Sequence, residues 1–303
     1  MSEALEHPTR TALSKWLIFV KERFEPITHV TLVGLFYAAH LKLTPPCGVD
    51  HWKILALGFA TLAFFFKLRL YDEVKDYETD LELNPGRPLA RGLVSHGDLF
   101  RGMVVCTVLE AASFALWGMF PFLLFSIAAG YSVLMYHEFF IAKWIRPLLT
   151  TYAVSHTVVS ALLGIAISGS LSQATSLESL PNRVWFFAGS TWCLFNVFEF
   201  GRKTFSNREE RAGVASYSKV FGKLGAVVLV ICMAGVAEYC FERSLSASFL
   251  SGRIALGLLG VSGVLFVQQN NPKFGRIYRT GTSVYIVIVY TLWLLFGPKG
   301  IGC

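Results

Sequence analysis

Nine of the 20 Asp and Glu residues of this 303-residue chain, Glu82 among them, sit in two short stretches. The first carries Asp72, Glu73, Asp76, Glu78 and Asp80, followed by Asn84, Arg87, Pro88, Arg91 and Gly92. On a helix Asp72, Asp76 and Asp80 recur at i, i+4 and i+8, and Glu73 lies three and seven residues before the later two, so four carboxylates share a face. Like charges stacked this way destabilise a helix unless a cation bridges them. Hard oxygen donors that leave room for water and phosphate suit Mg²⁺. The competing reading is a solvated helix end with ordinary surface acids, balanced by Arg69 and Lys75. The second stretch, from Asn196 to Gly222, holds Glu199, Arg202, Lys203, Arg208, Glu209, Glu210 and Arg211. Two carboxylate-bearing helix ends ringed by Arg87, Arg91, Lys143, Arg146, Arg202 and Lys203 describe a pocket for a diphosphate and its metal ions.

The elements that must position these residues are apolar. Only 16% of the chain is charged and 54% is apolar, with a mean hydropathy of +0.53, too few charges for a typical soluble domain. A soluble enzyme, a disordered chain, a collagen and a disulfide scaffold are excluded on that ground. Uncharged runs bounded by charge or by Pro, Gly and Asn predict nine membrane-crossing helices near 27–43, 53–70, 99–118, 120–138, 147–168, 184–201, 219–240, 253–268 and 280–297. The apolar part of the second span ahead of Lys67 is short for a bilayer, so the acidic helix that follows is expected to enter a protein-lined cavity. Thr11 to Glu25 mixes Leu13, Trp16, Leu17, Phe19, Val20 and Phe24 with Lys15, Lys21, Glu22 and Arg23, the pattern of an interfacial amphipathic helix. Residues 1–26 therefore read as a cytoplasmic tail and 27–303 as a single all-α membrane domain.

Most of the 27 Lys and Arg residues fall on one side of this layout; Lys42, Lys53, Arg183, Arg243, Arg253 and Lys299 fall on the other. The bias places the N-terminus and both acidic stretches in the cytoplasm and the C-terminus outside. It also accounts for the net charge of +7 without nucleic acid. The six cysteines show no zinc-ligand spacing, and most sit inside predicted spans, where they read as small buried residues. Among isolated polar residues, Glu110 is either an internal hydrogen-bonded strut or a pocket residue, and Glu238 is expected at an interface. His137, Glu138 and His156 lie where an acceptor could be deprotonated, although a helix histidine is more often a packing residue. The 26 Phe, 11 Tyr and 7 Trp could line a dry pocket able to stabilise a carbocation, but no single ring is assigned.

The chain resembles the UbiA superfamily of intramembrane prenyltransferases, whose nine helices carry an NDxxDxxxD motif after the second helix and a second Asp-rich motif after the sixth. Asp72, Glu73, Asp76 and Asp80 align with the first motif, with Asp72 at the Asn position and Glu73 at the first Asp. Arg87, Pro88, Arg91 and Gly92 match the basic stretch that follows it, and Gly213, Ser216, Phe221 and Gly222 match the run after the second motif. The resemblance implies that Asp72, Glu73, Asp76 and Asp80 are catalytic Mg²⁺ ligands acting on a prenyl diphosphate within the lipid bilayer. The second motif lacks its aspartates, so a second Mg²⁺ falls to Glu199, Glu209 and Glu210, or is partly replaced by Arg202 and Lys203. The resemblance implies transfer of the prenyl group to a lipophilic, aromatic or quinone-precursor acceptor. The divergent motifs are also similar to a branch that includes terpene cyclases, in which the prenyl chain's own alkene captures the cation. A transporter is the reading from another class, and one-sided acidic clusters offer it no path through the bilayer centre.

Overall fold

The computed structural model describes residues 11–245, 248–269 and 271–297. Among these the fold is entirely helical: α1 (Ala12–Phe19), α2 (Pro26–Leu43), α3 (His51–Lys75), α4 (Tyr77–Leu83), α5 (His96–Ala115), α6 (Met119–Tyr136), α7 (Ala142–Ile145), α8 (Leu149–Leu171), α9 (Asn182–Arg202), α10 (Tyr217–Leu245), α11 (Leu250–Gln268) and α12 (Pro272–Phe296). Each of the nine apolar segments expected from the sequence coincides with one of these helices. Six of them, α3, α6, α8, α10, α11 and α12, are long and apolar enough to cross a membrane, and the chain is an integral membrane protein. The other three, α2, α5 and α9, carry His29, His40 and Lys42, Asp98, Arg101 and Glu110, or Arg183, Glu199 and Arg202 within their length. Residues 1–10 of the expected tail and the C-terminal residues 298–303 lie outside the described residues.

The chain divides into two compact units. One comprises residues 1–34 and 59–110. Its N-terminal helix is capped by Thr11, whose hydroxyl accepts the Ser14 N–H at 3.3 Å. A π-helical turn, Val20–Phe24, follows, and Glu25 ends it with φ 44° before Pro26 opens α2. The aromatic face of this segment is docked. Trp16, Phe19 and Phe24 pack edge-on against Phe66 of α3 at centroid distances of 6.2, 6.2 and 5.3 Å, while Leu13 and Leu17 face outward. Gly102 of α5 permits this approach, since a Cβ there would lie 2.9 Å from the Trp16 ring.

Lys67 explains how α3 runs on to Lys75 although its uncharged part is short. Its ammonium is buried against the Glu110 carboxylate of α5 and sits 4.8 Å from the Phe64 ring centroid. Glu110 is therefore an internal strut within this unit.

The other unit comprises residues 35–58 and 111–303. Helix α9 is its centre, packed by α8, α10 and α12. A Cβ on Gly201 would fall 2.2 Å from the Thr282 hydroxyl, which shows how closely α9 and α12 approach; small residues permit such contacts between membrane helices. Phe187, Phe241 and Trp293 form an aromatic cluster with centroids 4.7–5.4 Å apart. Polar groups inside the unit are tied locally: Ser190 donates to the Ala237 carbonyl at 3.0 Å, and Trp293 Nε1 to that of Ala39 at 3.3 Å. Glu238 is buried within the unit and accepts a 3.0 Å hydrogen bond from Tyr285. Gly222 breaks the second turn of α10 at φ 70°, a conformation that glycine adopts without strain. Four cysteines, Cys106, Cys193, Cys232 and Cys240, are free, whereas Cys47 is disulfide-bonded.

Candidate active site

The first acidic stretch lies wholly in the unit formed by residues 1–34 and 59–110. Helix α3 stops at Lys75 and α4 restarts at Tyr77, with Asp76 between them at φ −87° and ψ −1°. Helical hydrogen bonding nevertheless continues, from the Asp76 N–H to the Asp72 carbonyl at 2.9 Å and from the Asp80 N–H to that of Asp76 at 2.8 Å. The four carboxylates differ in how far they are already engaged. Among the described residues, no three of His, Cys, Asp and Glu form a group able to hold a metal ion. The physical reason is that two of the four are claimed by neighbours. Glu73 is buried, pairs with the Arg23 guanidinium and accepts the Leu89 N–H at 3.2 Å. Asp80 is 5% exposed and accepts hydrogen bonds from Asn84 at 3.0 Å and from Arg87 at 2.5 Å.

Asp72 and Asp76 differ: their side chains are 52% and 55% exposed, with Arg69 at 3.4 Å and Arg87 at 3.6 Å. The Asp76 carboxyl is raised above the usual carboxylate range by desolvation first, then by the charges of Asp72 and Asp80. That crowding of negative charge is what a bound cation relieves. Arg91 donates to the Gly86 carbonyl at 2.6 Å and to Glu22 at 2.9 Å. Beside these groups lies a pocket of about 310 Å³ lined by Glu22, Arg23, Asn84, Gly86, Arg87 and Pro88.

The second stretch lies in the other unit, and each of its three glutamates is engaged by other side chains. Glu199 accepts from Arg202 at 2.6 Å and from Lys203 at 2.8 Å. Glu209 takes a two-pronged contact from Arg279 at 2.6 and 3.0 Å and accepts the Ser206 N–H and hydroxyl at 3.1 and 2.8 Å. The Arg279 hydrogen bonds hold its carboxyl down at about 2. Glu210 accepts from Ser216 and Ser218, both at 2.7 Å. The three glutamates thus fix the connection between α9 and α10 to its surroundings.

The remaining candidates are also in this unit. Glu138, Phe139 and Phe140 form a 3-10 turn with φ of 50°, 54° and 58°, a left-handed conformation that costs on the order of 1–3 kcal/mol per residue. Arg146 holds the turn through Glu138 at 2.5 Å. His137 is exposed and stacks on Phe140 at 5.3 Å. His156 stacks on Tyr152 at 3.9 Å, and its Nδ1 lies 2.7 Å from the Tyr152 carbonyl. Lys143 is exposed on α7. Residues that the sequence did not mark as site components are Glu22, Arg23 and Arg279. Their partners lie far along the chain, 69 residues for Glu22 with Arg91 and 70 for Glu209 with Arg279, and no local spacing signals them.

Comparison with known proteins agrees with this architecture. An apo UbiA homolog from Aeropyrum pernix K1 superposes with a TM-score of 0.62, covering 89% of this chain and 97% of that one at 18% identity. A digeranylgeranylglyceryl phosphate synthase superposes with a TM-score of 0.60, covering 93% and 98% at 14% identity. At these identities the likeness is one of fold. No curated protein matches the sequence. The UbiA prenyltransferase family model matches residues 28–281, most of the chain, and with the nine helical segments and the acidic stretch after the second of them it leads to one assignment: the chain belongs to the UbiA prenyltransferase family.

Proposed function

We propose that the chain is a Mg²⁺-dependent intramembrane prenyltransferase that ionises a polyprenyl diphosphate and passes the prenyl group to a lipophilic, aromatic acceptor. The observation that carries the reading is the division of labour in the first acidic stretch. Asp72 and Asp76 present half-exposed carboxylates one turn apart, while Glu73 and Asp80 are buried under Arg23 and Arg87. Mg²⁺ typically keeps several waters and uses one or two carboxylates together with substrate phosphates, so Asp72 and Asp76 fit it, with Asp80 in reserve if Arg87 turns to the substrate. When bound, the metal neutralises charge that develops on the leaving diphosphate. Arg87 and Arg91 supply fixed positive charge for the same oxygens. Glu73 is a positioning residue: it holds the N-terminal segment through Arg23 and the turn at Leu89 by its N–H, which sets the wall of the adjoining pocket.

A second reading, cyclisation of the prenyl chain without an acceptor, is favoured by the second stretch, where Glu199, Glu209 and Glu210 are each engaged by neighbouring side chains. Purified protein with Mg²⁺ and farnesyl or geranylgeranyl diphosphate alone separates the two. A cyclic hydrocarbon or alcohol formed at once refutes the transferase reading, whereas acceptor-dependent release of diphosphate supports it. We place the N-terminus and this site in the cytoplasm and the C-terminus outside. The Lys and Arg bias supports this.

A further inference from the structure

At the end of α9 remote from Glu199, the unit built from residues 35–58 and 111–303 has a second, unrelated feature. A cavity of about 700 Å³ is lined by Arg183, Arg243 and Arg253 together with Phe186, Tyr239 and Glu242. The one carboxylate among these is already committed: Glu242 accepts from Arg253 at 2.7 Å and from the Phe249 N–H at 2.9 Å. Glu238, one turn earlier on α10, is buried and bonded to Tyr285. Arg243 lies over the Phe186 ring at 5.4 Å, and the Nε of Arg183 is buried with no hydrogen-bond partner among the described residues. A buried guanidinium donor without an acceptor is costly, and Arg243 beside it has no acidic partner among the described residues, which raises the demand for an anion. Next to this cavity, sharing Ser248 with it, is an apolar groove of about 470 Å³ lined by Leu245, Phe249, Leu250, Ile254 and Phe296. The groove belongs to α10, α11 and α12, all of which are membrane-crossing in length and composition. Trp185 and Tyr239 are exposed nearby on α9 and α10, where amphipathic rings mark a headgroup level.

We infer that this end of the unit binds an anionic phospholipid, with Arg183 and Arg243 on the phosphodiester and an acyl chain in the groove past Leu250, Ile254 and Phe296. A free phosphate would satisfy the guanidiniums but leave the groove unexplained; a zwitterionic lipid would fill the groove but bring its own cation to the arginines. The site lies at the opposite end of the 21-residue α9 from Glu199 and Arg202, about 30 Å away along the helix, and does not depend on the reading of the acidic stretches.

Native mass spectrometry of the full chain in detergent tests it, with phosphatidylglycerol, phosphatidylcholine of the same acyl chains, or glycerol 3-phosphate added in turn. The expected result is phosphatidylglycerol bound about tenfold more tightly than phosphatidylcholine, a preference of the size charge-assisted contacts supply. Arg183→Gln with Arg243→Gln abolishes that preference, and glycerol 3-phosphate at equal concentration does not displace the lipid. Equal binding of the two lipids, a preference that survives the double substitution, or displacement by glycerol 3-phosphate each overturns the proposal. Should the double variant melt at a lower temperature without lipid, Ile254→Trp decides. It leaves every guanidinium in place and fills the groove, so phosphatidylglycerol binding must weaken severalfold, and unchanged binding overturns the proposal.

Discussion

Lys67 and Glu110 offer a sharp test of how this fold tolerates charge. Their side chains are 1% and 0% exposed, they pair directly, and the second oxygen of Glu110 has no hydrogen-bond partner among the described residues. Removing one partner of such a pair strands a charge in a low-dielectric interior, at a cost of about 3–5 kcal/mol. Replacing both with apolar residues of similar volume removes the desolvation cost along with the attraction, and is commonly neutral or stabilising by about 1–4 kcal/mol. Lys67→Met alone and Glu110→Leu alone should therefore each lower the thermal midpoint in detergent by roughly 6–20 °C, at about 2–4 °C per kcal/mol for a chain of this size class. The double variant should melt at or above the parent. The cycle isolates the interaction of the pair. If the double variant loses as much as the two single losses combined, the residues do not act on each other, and α3 must be held by something else.

Asp76→Asn should cut Mg²⁺-dependent diphosphate release on the order of 10²–10³-fold, the usual scale for loss of one electrostatic contact to a leaving group, and rates within threefold of the parent would remove it from the site. Glu209 is held ionised far below the ordinary carboxylate range by Arg279. Its contribution to stability is complete above the ordinary value of 4.5 and is lost as pH falls from there to about 2, so acid unfolding curves of the parent should drop more steeply in that window than those of Glu209→Gln. Gly201→Ala should destabilise by about 1–3 kcal/mol through overpacking against Thr282, whose hydroxyl and Cβ lie 2.2 and 2.6 Å from the added methyl; Thr282→Gly in the same chain should recover most of the loss, measured by thermal midpoint.

Much of the fold was legible because a bilayer imposes a single strong rule, that charge clusters between long apolar runs. All nine helical segments emerge from it, with ends displaced by a few residues; α12 begins eight residues earlier than its apolar run because Asn271 caps it by accepting the Lys273 N–H at 2.9 Å and Pro272 opens it. The acidic stretches were legible for the same reason. What the sequence could not show is which carboxylates are already engaged. Periodicity puts Asp72, Glu73, Asp76 and Asp80 on one face, but Glu73 turns to Arg23, 50 residues earlier, and Asp80 turns to Arg87 beyond the end of α4. Glu110 could be read as strut or pocket residue until its partner, 43 residues away, was placed. Helical spacing describes one helix at a time, and each of these outcomes was decided by a neighbour.

The tie between Arg23 and Glu73 also sets a clock on biogenesis. Fifty residues separate the two, so at synthesis rates of about 5–20 residues per second the ribosome delivers the glutamate roughly 3–10 s after the arginine. Through that interval the α1 segment has neither Glu73 nor Arg91 to clasp, and only its own apolar side chains to keep it at the membrane surface. The latch closes when the end of α3 and the turn after it have emerged, so α1 is secured only after α2 and α3 have been made.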